Sequence, residues 1–304
     1  MSYNVEILAD SIANEQRITT VELTFPRFIL AEVNTHRMFS RNSASSRAIP
    51  TEKIIERVAN EPFVPETFNK RVKGMGVGEE FDEQAAEIAR SWWHHARGGS
   101  ITAASELNNL GLDKSRANRL LEPFMWHTAI ITATDWDNFF ALRNHEAAQP
   151  EFQIIAGMLD AEMHRSTPLE LERDEWHLPL VDLGSEWIEA KETKQWEHWA
   201  WVSAGRCARS SYDKIHDPET KAESYSRAEK LKGAGHMSPF EHQARPFSLA
   251  EMKWIAHTKW LLFADAPTNE SAQLVNSIDY SGNFKYWHQF RKSFKHESNY
   301  AKLA

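Results

Sequence analysis

The chain reads as an α+β protein, a mixed short-strand sheet with long helices, folded as one domain over residues 1–304. Two observations predict this. Short segments of strand-like alternation are mixed with longer stretches of helical periodicity. The composition, 41% hydrophobic and 26% charged over 304 residues, is that of an ordinary globular chain able to bury a sizeable core.

Val21, Leu23 and Phe25 alternate with polar neighbours, so residues 18–34 read as a strand pair or one long extended segment interrupted at Pro26. Thr51 reads as the N-cap of a short helix over 51–59, with Ile54, Ile55 and Val58 on one face. The glycines at 74, 76 and 78 make a turn. No apolar strand precedes them, which argues against a dinucleotide loop. Residues 82–97 read as helix. Asp135 can cap a helix ending near Arg143, and Pro150 suits the first turn of another running to about His164. Residues 165–190, richer in proline and acid, read as a connection. Helices follow over 192–206 and 219–233, the latter closed by Gly233 and Gly235.

A net charge of −8 argues against a general nucleic-acid binder. No apolar run approaches the roughly 18 residues of a membrane span. The single cysteine, Cys207, excludes an internal disulfide and fits a reducing, cytoplasmic setting. Its expected role is that of a small buried apolar residue. Twelve Trp and sixteen Phe point to aromatic core and subunit interface.

The most informative stretch is 35–47, which carries three arginines, four serines, Asn42 and His36. Forked guanidinium donors and short hydroxyls in that density suit the oxygens of a phosphorylated ligand. The overall acidity points to a small anion rather than a polyanion. Further along, Arg143 ends a helix ahead of Ala147-Ala148-Gln149-Pro150-Glu151. Residues 205–212 repeat the Arg/Ser theme, and 235–242 combine His236, Ser238, Pro239, Glu241 and His242.

These segments resemble the flavin-dependent thymidylate synthases. Residues 36–47 match H-R-x-x-S-x-N-x-x-S-x-R. Arg143 to Glu151 is similar to that family's R-x(4)-A-Q-x-E segment, and Arg119 to Pro123 to its R-x-x-x-P segment. Ala208 to Tyr212 resembles A-R-x-S-Y, and Gly235 to His242 resembles G-H-x-[ST]-P-F-E-H. The likeness spans roughly 18–47, 114–160 and 204–246. In the family the last two elements precede the H-R motif, whereas here they follow it far downstream, an order that resembles a circular permutation.

The resemblance implies reductive methylation of dUMP to dTMP, with methylenetetrahydrofolate as one-carbon donor, FAD as flavin and NADPH as reductant, and no cysteine nucleophile. It implies Arg143 as the catalytic cation at the pyrimidine ring. Ala44, Ser45, Ser46, Arg47 and Arg119 would hold the nucleotide, and Thr35, His36, Arg37, Ser43, Ser238 and His236 the FAD. It also implies a homotetramer with shared sites. Ser40 reads as a structural turn residue. No metal is expected from His236, Glu241 and His242.

Three positions depart from the family pattern. Thr35 stands for an Arg, Ser43 for a Glu and Ala147 for a flavin-contacting His, with His145 nearby as a substitute. These leave open dCMP as substrate and a hydroxymethyl product. A non-catalytic flavin or nucleotide binder is a rival reading. A metal hydrolase using His94, His95, His236 and His242 is a remote one.

Overall fold

The structure is a computed structural model that describes residues 1–74, 76–264, 277–295 and 297. Its centre is a five-stranded sheet built from β1 (Asn4–Ala13), β2 (Gln16–Pro26), β3 (Ser40–Ser43), β4 (Trp126–Ala133) and β5 (Leu169–Glu170), in the order β3-β4-β2-β1-β5. The β1–β5 pairing is parallel and the others are antiparallel.

β2 has two chemically different faces. Val21, Leu23 and Phe25 enter an apolar core with Ala129, Ile131 and Ala133 of β4. The other face carries Ile18, Thr20, Glu22 and Thr24, all buried. Two-residue alternation places the sets on opposite sides.

The helices are α1 (Leu30–Val33), α2 (Thr51–Asn60), α3 (Glu83–Asn109), α4 (Lys114–Ala117), α5 (Asp137–Arg143), α6 (Pro150–Arg165), α7 (Ser185–Thr193), α8 (Trp196–Cys207), α9 (Lys221–Gly233) and α10 (Leu249–Ala264). Phe152, Ile155, Ala156, Leu159 and Met163 of α6 cover the apolar face of the sheet. α7, α8 and α9 form a second core with Trp196, Trp199, Ala228, Phe240 and Phe290. Gly205 of α8 lies where an added Cβ would meet the Ser224 carbonyl oxygen at 1.9 Å, so glycine is what lets α8 and α9 approach backbone to backbone.

Several expectations are corrected. The extended reading of 18–34 fails after Pro26, where residues 27–29 form a 3-10 turn and α1 follows. Proline cannot donate to a ladder, and the strand stops there. Ser40–Ser43, read as loop, are a strand on β4. The helix begun at 82 runs through Gly98 and Gly99 to Asn109, because Ala104 is buried and Ile101 packs in the cluster of Ile54, Val58 and Leu121. The cap of α5 is Trp136 rather than Asp135, whose carboxylate accepts from the Thr134 hydroxyl at 2.8 Å. The region 165–190 holds β5 and the start of α7. Lys194, at φ 57°, separates α7 from α8 within the stretch read as one helix. α6 and α9 fall close to their expected spans, α9 with a full capping box of Thr220 and Glu223.

Candidate functional site

The Arg/Ser segment divides between two places. Its second half meets the distant C-terminal elements. β3 places Asn42 beside the loop that carries Ser45 and Arg47, and the Ser45 backbone N–H donates to the Ser211 carbonyl at 3.1 Å. Asn42, Ser45 and Arg47 then line a cavity of about 560 Å³ with Ala208, Ser211, Tyr212, Arg227, His236 and Ser238. Segments some two hundred residues apart in the chain thus share one concavity.

The positive charge there is unequally available. Arg227 is held by Glu219 through two contacts and by the Gly205 carbonyl at 3.2 Å. Arg209 of the A-R-x-S-Y element turns away to the Asp217 carbonyl, at 2.7 Å, and does not line the cavity. Arg47 is exposed and makes no salt bridge among the described residues; the carboxylate that feels its charge is Asp113, which accepts from the Ser115 N–H. Its guanidinium is the cation left to meet an anion, and the Ser45 hydroxyl already accepts from the Arg47 N–H at 3.3 Å.

The first half of the segment meets Arg143. Arg143 Nε donates to His36 Nε2 at 3.0 Å, Nη2 reaches Thr35 Oγ1 at 3.4 Å, and the guanidinium sits 4.5 Å over the Phe152 ring. For His36 to accept at Nε2 its imidazole must be neutral. Burial first, then the Arg143 and Arg41 charges, push its pKa down from 6.5 to about 4, in accord with that role. His36 also stacks on Phe39 and meets the edge of Phe139. Arg143, Glu32, His145, Ala147, Gln149 and Phe152 line a second cavity of about 540 Å³.

The structure therefore brings Ser45, Arg47, His236 and Ser238 together in one cavity, and Thr35, His36 and Arg143 together beside another. Ala44 and Ser46 lie on the other side of their loop, against a cleft of about 20 Å³. The Ser46 carbonyl accepts from Asn118 at 2.7 Å, which ties the loop to the turn at 118–124. Arg119 on that turn is exposed, pairs with Glu122 at 2.9 Å and lines neither cavity. Arg37 is exposed. Ser43 ends β3 opposite Ala129, is half-buried and lines neither cavity. Ser40 is fully buried and receives Gln289 Nε2 at 3.0 Å, a structural role.

Cys207 is buried and its thiol is pushed up to about 12 by that burial, so it is no nucleophile at neutral pH. His242 is buried and bonded to Thr132 at 2.8 Å, and Glu241 pairs with Arg291. Neither carboxylate nor imidazole is offered to the cavity near His236. His94 and His95 sit on α3, away from both cavities. Arg227 and Leu231, one turn apart on α9, were not singled out from the sequence. Helical spacing alone cannot say which face of α9 meets the cavity.

Two solved structures are similar in part. The UMP/dUMP methylase PolB from Streptomyces cacaoi, bound with 5-Br UMP, is 14% identical, with a TM-score of 0.46 over 56% of this chain and 90% of that one. The same protein bound with 5-Br dUMP is 16% identical, with a TM-score of 0.44 over 56% and 91%. No curated protein matches the sequence. The family model described as Thy1, thymidylate synthase complementing protein, matches residues 11–169, which hold the whole Arg/Ser segment, Arg119 and Arg143. More than half of the chain is covered by that match, and the chain belongs to this family.

Proposed function

We propose that this chain is a flavin-dependent methyltransferase acting at C5 of a pyrimidine deoxynucleotide, converting dUMP to dTMP with methylenetetrahydrofolate, FAD and NADPH. The observation that carries the reading is the meeting of Ser45 and Arg47 with residues 208–212 and 235–239 around one cavity, with Arg47 uncommitted. Those C-terminal elements lie outside the matched span and reach the motif only through the fold. That adjacency supports a circularly permuted order.

In this reading Arg47 and the Ser45 hydroxyl hold the phosphate, one as a permanent fork of donors and the other as a short donor. Arg143 acts at the base. A guanidinium cannot lose its charge in the working pH range, so it stabilises negative charge developing on the pyrimidine carbonyl edge, which makes C5 nucleophilic. Neutral His36 fixes Nε, Phe152 fixes the plane, and Nη1 has no acceptor among the described residues. His36 is oriented in turn by Phe39 and Phe139, so the cation is pre-positioned.

FAD supplies hydride chemistry when bound. The donor set suits it. Arg143 borders one cavity with Thr35 and His36 bonded behind its guanidinium, and His236 and Ser238 border the other. Thr35, in place of the family's Arg, donates its hydroxyl to the Glu32 carbonyl at 2.6 Å, so this position brings no positive charge. His145 and Ala147 both face the Arg143 cavity, which leaves His145 to offer the imidazole that Ala147 lacks. With the phosphate-holding and base-activating groups around separate cavities, a second copy of the chain completes the site. That fits the homotetramer with shared sites.

The purified protein offered FAD should take up the yellow flavin band and lose it on adding NADPH. A protein that stays colourless with added FAD refutes the flavoenzyme reading and leaves the nucleotide-binding one.

A further inference from the structure

On the polar face of the sheet, away from both cavities, Glu6 of β1 and Glu22 of β2 stand directly opposite each other in register. Like charges in that position destabilise a sheet unless something neutralises them. Glu22 is also deeply buried, its side chain only 7% exposed. No lysine or arginine pairs with either carboxylate among the described residues. Arg57 is engaged at 2.8 Å with Asp213, a further carboxylate beside Glu22. The group that meets both glutamates is His216. Its Nε2 lies 3.2 and 3.3 Å from the two Glu22 oxygens and 4.0 Å from Glu6 Oε2. One ligand atom from each of the three residues lies within 4.8 Å of the others.

We propose that Glu6, Glu22 and His216 form a binding site for a divalent transition-metal cation, Zn²⁺ or Mn²⁺. Two donors each about 2.1 Å from such an ion at a tetrahedral angle are roughly 3.4 Å apart, close to the His216–Glu22 spacing. A small movement of the half-exposed Glu6 side chain closes the third edge. One imidazole and two carboxylates suit these ions, with open positions left for water. A divalent charge also resolves the opposed carboxylates, and the buried Glu22, whose pKa burial raises, gains a fixed cation in place of a titratable one. The site has a structural consequence. His216 belongs to the loop between Tyr212 and α9, and both of those line the Arg47 cavity. An ion there pins that loop to the sheet.

The test is calorimetric titration of the tag-free, chelator-treated full chain with ZnCl₂ and, separately, MnCl₂. Thermal melting with and without the metal accompanies it. The expected result is one equivalent bound per chain, with a metal-dependent rise in Tm. His216→Ala and Glu22→Gln should each weaken binding at least tenfold and abolish the rise. His216 is largely exposed, so its variant keeps the fold, which far-ultraviolet circular dichroism checks. Failure of the wild-type chain to bind either metal, or binding unchanged in both variants, overturns the proposal and leaves His216 and Glu22 as a plain ion pair.

Discussion

Arg143 and Arg47 carry different halves of the proposed reaction, and single substitutions separate them. Arg143→Ala should abolish product formation while part of the nucleotide affinity persists, read as turnover against an equilibrium Kd. Near-normal turnover would refute its role. Arg47→Ala should weaken nucleotide binding by about 1.5–3 kcal/mol, the worth of a hydrogen bond to a charged group. An unchanged Kd would remove it from the phosphate site. Arg47 was legible in the sequence because a guanidinium among short hydroxyls has few purposes, whereas Arg143 was legible only through the family resemblance. Arg119 and Ser43 were named by the same resemblance, yet neither lines the Arg47 or the Arg143 cavity. The pattern names residues of a loop without saying which side of it they face.

At the scale of elements, Gly205 and the buried histidines make the strongest claims. Gly205→Ala places a Cβ against the Ser224 backbone, which cannot yield as a side chain would. It should cost about 1–3 kcal/mol or more by overpacking, seen as a lowered Tm. The polar face of β2 is filled by a hydrogen-bonded row in which Ser11, His177, Thr20, Thr132 and His242 follow one another at 2.7–2.9 Å. Burial pushes His177, His242 and also His127 down to about 3, and His36 to about 4. An unfolded histidine takes up its proton near 6.5, so between there and pH 3–4 the unfolded chain binds more protons than the folded one. Stability should be full above about pH 6.5 and fall as pH drops, by up to about 1.4 kcal/mol per pH unit for each such histidine. Denaturant melts across that window measure the slope, and a flat profile would contradict neutral buried imidazoles. Little of this row was legible. His242 could be singled out as chemically capable, but its partners Thr20, Thr132 and His177 are ordinary residues until the sheet register aligns them. The long helices were easier, because caps and apolar spacing are local. The continuation of α3 through Gly98 and Gly99 was not, since it rests on tertiary packing of Ile101 and Ala104.

The whole molecule joins an N-terminal half within the matched family span to C-terminal helices that supply the far wall of the Arg47 cavity. Because Arg47 and Arg143 border separate cavities, the inactive Arg143 variant and the weakly binding Arg47 variant, assayed at nucleotide levels too low to fill the weakened site, should complement each other if sites are shared between copies. Mixing Arg47→Ala with Arg143→Ala chains after partial dissociation should restore a fraction of wild-type turnover. No recovery would mean that each chain works alone. The departures at Thr35, Ser43 and Ala147 bear on which nucleotide is turned over, and the reaction itself decides that. Mass spectrometry of the product, with dUMP and dCMP offered in turn alongside methylenetetrahydrofolate, FAD and NADPH, tests the central claim most directly. The expected product is dTMP, in which methyl replaces the C5 hydrogen of dUMP, formed from dUMP and dependent on NADPH. A hydroxymethyl product, turnover of dCMP alone, or no product from a flavin-loaded enzyme would contradict it.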